Sequence, residues 1–131
     1  MDRKKLLYVL AFLIFLIFAL HLAATKFYWY YSLWYLDIIM HFLGGIWIGL
    51  ASIYIFQPKE FFFSTTLKIL FVVLLVGIGW EIYEFLVNDT LAQNPMDFPD
   101  TFSDLFFDLF GGFCAILYTW SRTKSRTQEN K

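Results

Sequence analysis

The sequence predicts an all-α polytopic membrane protein, four transmembrane helices arranged as two pseudo-symmetric helical hairpins in a single domain over residues 1–131. Three observations predict it. Of 131 residues, 60% are hydrophobic and 23% aromatic, while 16% are charged, against about a quarter in ordinary soluble domains. The apolar residues fall in long runs, without the alternation that would give a helix or strand one watery face. Two of those runs also open on the same polar pattern. The same composition excludes other classes: a formal net charge of -1 leaves no basic excess for nucleic-acid phosphates. The single cysteine excludes an intramolecular disulfide and any cysteine-based zinc motif.

The predicted spans are near 6–25, 38–56, 67–87 and 102–120, each close to the ~20 residues that cross roughly 30 Å of hydrocarbon. So little polar sequence separates them that helices are favoured over barrel strands, which would alternate inward and outward at every second residue. The first span follows Arg3, Lys4 and Lys5. A cleaved signal peptide has a similar basic start and apolar core. However, His21, Leu22 and Thr25 stand where small residues would mark cleavage, and the internal repeat described below requires this helix, so a retained span is expected. The stretch 26–36 (KFYWYYSLWYL) reads as an interfacial aromatic belt. After the third span, the outer loop 88–101 holds turn residues, two prolines and no basic side chain, and its Asn88-Asp89-Thr90 sequon is read as incidental. Residues 121–131 form a polar tail.

Orientation follows from the basic residues. Arg3, Lys4, Lys5, Lys59, Lys68, Arg122, Lys124, Arg126 and Lys131 fall on one side, nine of the ten in the chain, and Lys26 on the other. The positive-inside bias therefore predicts both termini in the cytoplasm.

The repeated pattern is D-x-x-x-[HD]-x-x-G-G. It spans Asp37, His41, Gly44 and Gly45 on the second helix and Asp104, Asp108, Gly111 and Gly112 on the fourth, at an offset of 67 residues. The same shift carries the first helix onto the third, as expected of two hairpins related by an axis along the membrane normal. Helical spacing then sorts the polar residues. Asp37, His41, Gly45 and Gly49 follow one ridge, Gly77, Glu81, Glu84 and Asn88 a second, and Asp104, Asp108 and Gly112 a third. Gly44, Gly45, Gly49, Gly77, Gly111 and Gly112 are the expected close-packing positions, since small residues let membrane helices approach. His41, Glu81 and Asp108 all fall roughly 6–10 Å inside the outer boundary at ~1.5 Å per residue.

An acidic layer of Asp37, Glu81, Glu84, Asp104 and Asp108 around His41 is thus expected in the outer half of the bilayer. Each ionised group there costs at least ~2.5–3.5 kcal/mol. Like charges so close cannot all stay ionised, so protons or a cation must sit among them. One reading is a divalent metal held by Asp37, His41, Glu81, Glu84 and Asp108, able to bridge to a lipid or envelope-precursor headgroup. A second makes the carboxylates proton carriers in a small transporter or channel component. A third is structural: Asp37, Thr101 and Asp104 cap helix starts, and the deeper groups bond between helices. His21 is the one further residue that could join the layer. Ser52, Ser64 and Cys114 lie toward the cytoplasmic half, and no nucleophile motif is present. Catalysis stays open, as does association with a second copy of the chain.

These residues resemble a known family. Asp37-x-x-x-His41-Phe42, Trp80-Glu81-x-x-Glu84 and Asp100-Thr101-x-x-Asp104-x-x-x-Asp108-x-x-Gly111 are similar to the signatures of the VanZ-like membrane protein superfamily, especially its YjdF-type branch, over roughly residues 35–115. The sequence departs from VanZ itself at four places. Ile38 stands for a lysine, Glu84 for a glutamine, Asp100 for an arginine in the last outer loop, and Asp108 for an asparagine. The glycopeptide resistance of that branch therefore does not carry over. The resemblance implies a small multi-pass protein of the bacterial plasma membrane, with Asp37, His41, Glu81, Glu84, Asp104 and Asp108 as its signature positions.

Overall fold

The computed structural model describes residues 2–60, 62–91 and 98–129, with side chains described at 2–60, 62–87 and 98–123. Among them there is no strand. The helices are α1 (Arg3–Lys26), a short α2 (Trp29–Ser32), α3 (Leu36–Phe56), α4 (Phe63–Leu91) and α5 (Phe98–Glu129). Four of these are long and apolar enough to cross a membrane. Their outer surfaces carry large apolar side chains, among them Phe12, Phe15, Phe71, Leu75, Phe102 and Phe106. That pattern suits lipid and not water.

Local chemistry explains the ends. Asp2 accepts the backbone N–H of Lys4 and caps α1. Gln57 closes α3 in the left-handed region at φ 46°, and Pro58 behind it cannot continue the helix. Two expected boundaries are corrected. α4 starts four residues before 67, and α5 runs from Phe98 through the expected tail to Glu129. Hydropathy registers where hydrocarbon ends, whereas helical hydrogen bonding continues through good helix formers such as Arg, Lys, Gln and Glu. Pro99, second in α5, is tolerated there because the first-turn N–H groups lack intrahelical partners anyway. The expected outer loop therefore shrinks: 88–91 belongs to α4 and 98–101 to α5, and its centre, 92–97, lies outside the described residues. Within the expected belt, α2 adds one helical turn.

α3 is the central helix and packs against all the others. α1 lies antiparallel to it. Trp47 Nε1 donates to the carbonyl of Leu10 at 3.0 Å, and Arg3 sits 4.8 Å over the Tyr54 ring at the far end. α4 runs antiparallel to α5, Val73 meeting Gly112 and Gly77 meeting Asp108, while α3 and α5 run parallel. The half of the bundle nearer the N-terminus of α1 is filled by Leu6, Leu10, Leu50, Ile53, Ile69, Ala115 and Ile116.

The α3–α5 crossing is as close as two helices can come. A methyl group at Gly45 would collide with the backbone of Asp108, and one at Gly111 with the backbone of Phe42 and Ile46. Gly49 lies against Gly112 and Ala115, where an added Cβ would be 3.0–3.2 Å from them. Gly44, expected among the packing glycines, stands outside the crossing, with nothing within 4 Å of an added Cβ. Adjacent helical residues point about 100° apart, and here Gly45 is turned to α5 while Gly44 is not.

Gly45→Ala and Gly111→Ala should therefore each destabilise the detergent-solubilised protein by about 1–3 kcal/mol, since no side-chain rotation relieves a clash with backbone. Gly44→Ala should leave the thermal midpoint unchanged or slightly raised. Melting curves of the three variants followed by circular dichroism check this.

Candidate functional site

One turn before Gly45, the same ridge of α3 carries His41 into the space between α4 and α5. Three carboxylates surround its ring. Nδ1 lies 3.3 Å from Asp108 Oδ2, and Nε2 lies 3.7 Å from Glu81 Oε1 and 3.9 Å from Asp104 Oδ2. All four residues are withdrawn from the surface: His41 is 6% exposed, Glu81 7%, Asp104 2% and Asp108 4%.

The two ring nitrogens have different surroundings. Nδ1 is within hydrogen-bonding reach of Asp108. Nε2 is not in reach of either of its carboxylates, because contacts of 3.7 and 3.9 Å exceed hydrogen-bond length. Three buried polar atoms among the described residues have no hydrogen-bond partner: His41 Nε2, Glu81 Oε1 and Asp104 Oδ1. Each such atom costs about 1–3 kcal/mol when nothing satisfies it.

Asp37 and Glu84, both half-buried, complete the layer. One ligand atom from each of Asp37, His41 and Asp104 falls within 4.8 Å of the others, and the same holds for His41, Glu81 and Glu84. Neighbouring donors fix two of the acids. The Trp80 indole N–H donates to Glu84 Oε1 at 2.9 Å, and Thr101 hydrogen-bonds the Glu81 side chain. Gly77 makes room for the third: an added Cβ would stand 2.5 Å from Asp108 Oδ2. The glycine that lets α4 approach is thus also what admits the Asp108 carboxylate beside His41.

All six polar residues singled out from the sequence, Asp37, His41, Glu81, Glu84, Asp104 and Asp108, lie in this one layer. One expectation changes: Asp104 and Thr101 do not cap a helix start, because α5 begins at Phe98 and both lie inside it. Asp108 lies at Nδ1 of His41, while Glu81 and Asp104 lie at Nε2. Spacing along one helix cannot say which ring nitrogen a neighbour meets. The supporting roles of Trp80 and Thr101 also went unread, although Trp80-x-x-x-Glu84 is an i, i+4 pair visible in the sequence. Asn88 falls outside the described side chains. Ser52 spends its hydroxyl on the Ile48 carbonyl at 2.8 Å, far from the acids.

His21 does not reach His41. Its Nδ1 lies 2.9 Å from the Tyr30 hydroxyl at the outer end of the bundle. Burial first, and then the Asp37 and Glu84 carboxylates, push the Tyr30 phenol above its ordinary range, so it remains an O–H group.

This arrangement can hold a cation or share protons, but not both at full charge. With chelator present, Glu81→Gln and Asp104→Asn should keep or raise the thermal midpoint, since each removes a negative charge from a crowded buried layer. His41→Ala should lower it by about 3–5 kcal/mol in stability, the usual cost of stripping one partner from a buried charged network. Differential scanning fluorimetry in detergent distinguishes these outcomes.

A family model described as "Predicted membrane protein (DUF2238)" aligns with residues 2–125. No curated protein and no solved structure matches significantly. The matched region takes in all four candidate spans and every residue of the acidic layer. On that coverage, the chain belongs to the DUF2238 family of membrane proteins.

Proposed function

We propose that the acidic layer is a divalent-cation site in the outer half of the bilayer, through which the protein engages a lipid or cell-envelope-precursor headgroup. The observation that carries this reading is the trio of orphaned buried atoms, His41 Nε2, Glu81 Oε1 and Asp104 Oδ1, on three different helices. A cation among them would supply the missing partner. Tetrahedral donors about 2.1 Å from a shared ion lie roughly 3.4 Å apart, close to the 3.7 Å between His41 Nε2 and Glu81 Oε1, and Asp104 brings its other oxygen, Oδ2, to 3.9 Å from the same nitrogen. Asp37 and Glu84 supply further oxygens at the edge. One imidazole among carboxylates suits Mn²⁺ or Zn²⁺ better than a soft ion.

In this reading Asp108 is a positioning residue. A carboxylate on Nδ1 fixes the imidazole tautomer and turns Nε2 toward the metal, the usual arrangement around metal-bound histidines. The likeness to the VanZ-like superfamily supports the same six positions. So does the internal repeat, which pairs His41 with Asp108 at the 67-residue offset. The resemblance implies a bacterial plasma membrane, and the basic-residue bias puts both termini in the cytoplasm. Proton- or ion-coupled transport is less well supported, because the apolar seal of Leu50, Ile53, Ile69, Ala115 and Ile116 separates the acids from the inner face.

Elemental analysis of protein purified in detergent without chelator tests the site. About one equivalent of metal is expected in the wild type, and none in Glu81→Gln or Asp104→Asn. Asp108→Asn should retain the metal with affinity about 10–100-fold weaker. A wild type that holds no metal and takes up neither Mn²⁺ nor Zn²⁺ on titration would overturn the reading. The orientation is checked separately: a C-terminal green fluorescent protein fusion should fluoresce, and a C-terminal alkaline phosphatase fusion should be inactive.

A further inference from the structure

The six polar residues of the layer differ in how far they are withdrawn. His41, Glu81, Asp104 and Asp108 are buried, whereas Asp37 and Glu84 are half-buried, so the layer has a closed interior and an accessible rim. The rim acids share the space of the buried ones. An oxygen of Asp37 lies within 4.8 Å of ligand atoms of His41 and Asp104, and an oxygen of Glu84 within 4.8 Å of those of His41 and Glu81. Glu84 is also held in place: the indole N–H of Trp80, one turn earlier on α4, donates to its Oε1 at 2.9 Å. The Trp80 ring is 48% exposed beside it.

Charge decides what such a rim admits. Among the described residues, His41 is the only basic side chain within 4.0 Å of any carboxylate of the layer. A divalent cation beside His41 Nε2 offsets two of the five carboxylates, and Asp108 is taken up by Nδ1. Even where Asp37 and Glu84 lend an oxygen to the metal, their charge is not offset. A ligand that reaches the metal through an anionic oxygen sits beside these two acids. A plain phosphate sets like charge against like charge there, which is costly. A phosphoryl group linked to a primary ammonium brings the missing partner with it. The ammonium has three N–H donors and no acceptor, and its charge-assisted hydrogen bonds to a carboxylate are stronger than neutral ones. Glu84, already accepting one indole N–H, keeps lone pairs for more, and indole is the aromatic surface that cations favour most.

We propose that the headgroup engaged by this site is zwitterionic, with a phosphoryl oxygen on the cation and a primary ammonium held by Glu84, Asp37 being the second acid of the rim. The inference rests on the reading of the layer as a cation site. It names the ligand class, an aminoalkyl phosphate of the phosphoethanolamine type, either free or as a lipid headgroup. The buried, unpartnered His41 Nε2, Glu81 Oε1 and Asp104 Oδ1 point to the metal, and the rim acids without a cationic partner point to the amine.

The test uses the full chain in dodecyl maltoside, loaded with Mn²⁺ and freed of excess metal, with occupancy matched across variants by electron paramagnetic resonance. Calorimetric titration compares two pairs of probes that differ only in the amine. One pair is phosphoethanolamine and ethyl phosphate; the other is dihexanoyl phosphatidylethanolamine and dihexanoyl phosphatidylethanol. The wild type should bind the amine-bearing member about tenfold more tightly. Glu84→Gln, which keeps an acceptor for Trp80 but loses the charge, should bring the two members to equal affinity, and Asp37→Asn should reduce the preference. Glu60→Gln, exposed beyond α3 at the opposite end of the bundle, should retain it. A preference confined to the lipid pair identifies a lipid headgroup as the ligand, and one present in the soluble pair shows that the free zwitterion suffices. Equal binding of amine-bearing and amine-free probes by the wild type would overturn the proposal while leaving the cation site intact. The same holds if Glu84→Gln keeps the preference or Glu60→Gln loses it equally. Mn²⁺-loaded protein that binds no probe would overturn both the proposal and headgroup engagement, and a wild type that takes up no Mn²⁺ would remove the cation reading beneath them.

Discussion

The backbone-to-backbone approach of α3 and α5 controls the geometry of everything polar in this protein. At Gly45 and Gly111 there is no room for even a methyl group, because Asp108 and Phe42 present main-chain atoms there. In lipid, helices gain nothing from hiding apolar side chains from one another, so close van der Waals packing at small residues must supply much of the association. The polar consequence lies one turn away. With the axes this near, His41 on α3 reaches Asp104 and Asp108 on α5 directly, and Gly77 lets α4 bring Glu81 to the same ring. A bulkier crossing would separate the imidazole from its acids.

The resulting layer is costly by the ordinary rules of membrane folding. Buried carboxylates stand around a single imidazole, in a bundle with no lysine or arginine among them, and three polar atoms are unsatisfied. A sequence selected only for stability would fill such a space with Leu or Ala, as it does toward the inner half with Leu50, Ile53, Ala115 and Ile116. The contrast between the two halves of one bundle is therefore informative. One half is lined by apolar side chains. The other keeps ionisable groups that are costly to bury unless they are paired or neutralised.

α1 has a different place in this economy of contacts. Among the described residues it packs against α3 and the short α2, with no close backbone approach to α4 or α5. Trp47 and the Arg3–Tyr54 contact secure its inner half. At its outer end, His21 touches the connecting segment instead of the acidic layer. The helix thus closes one flank of the bundle and braces the connecting segment, without contributing a group to the layer itself.

The sequence by itself determined the class of fold and the cast of the site. Length and apolarity are properties of each segment alone, so the four spans could be read from it, and helical periodicity placed Asp37, His41, Glu81, Glu84, Asp104 and Asp108 on ridges with glycine. What lies beyond the hydrocarbon was not legible, because helical hydrogen bonding in α4 and α5 continues where hydropathy falls off. Nor could a single helix reveal how the ridges interlock. Only the tertiary structure decided that Gly45 packs while Gly44 does not, and that Asp104 is buried mid-helix rather than capping. It also decided that Asp108 meets Nδ1 while Glu81 and Asp104 meet Nε2. These are questions of rotation and distance between helices, set by which atoms collide at the crossing, and no spacing within one helix encodes them.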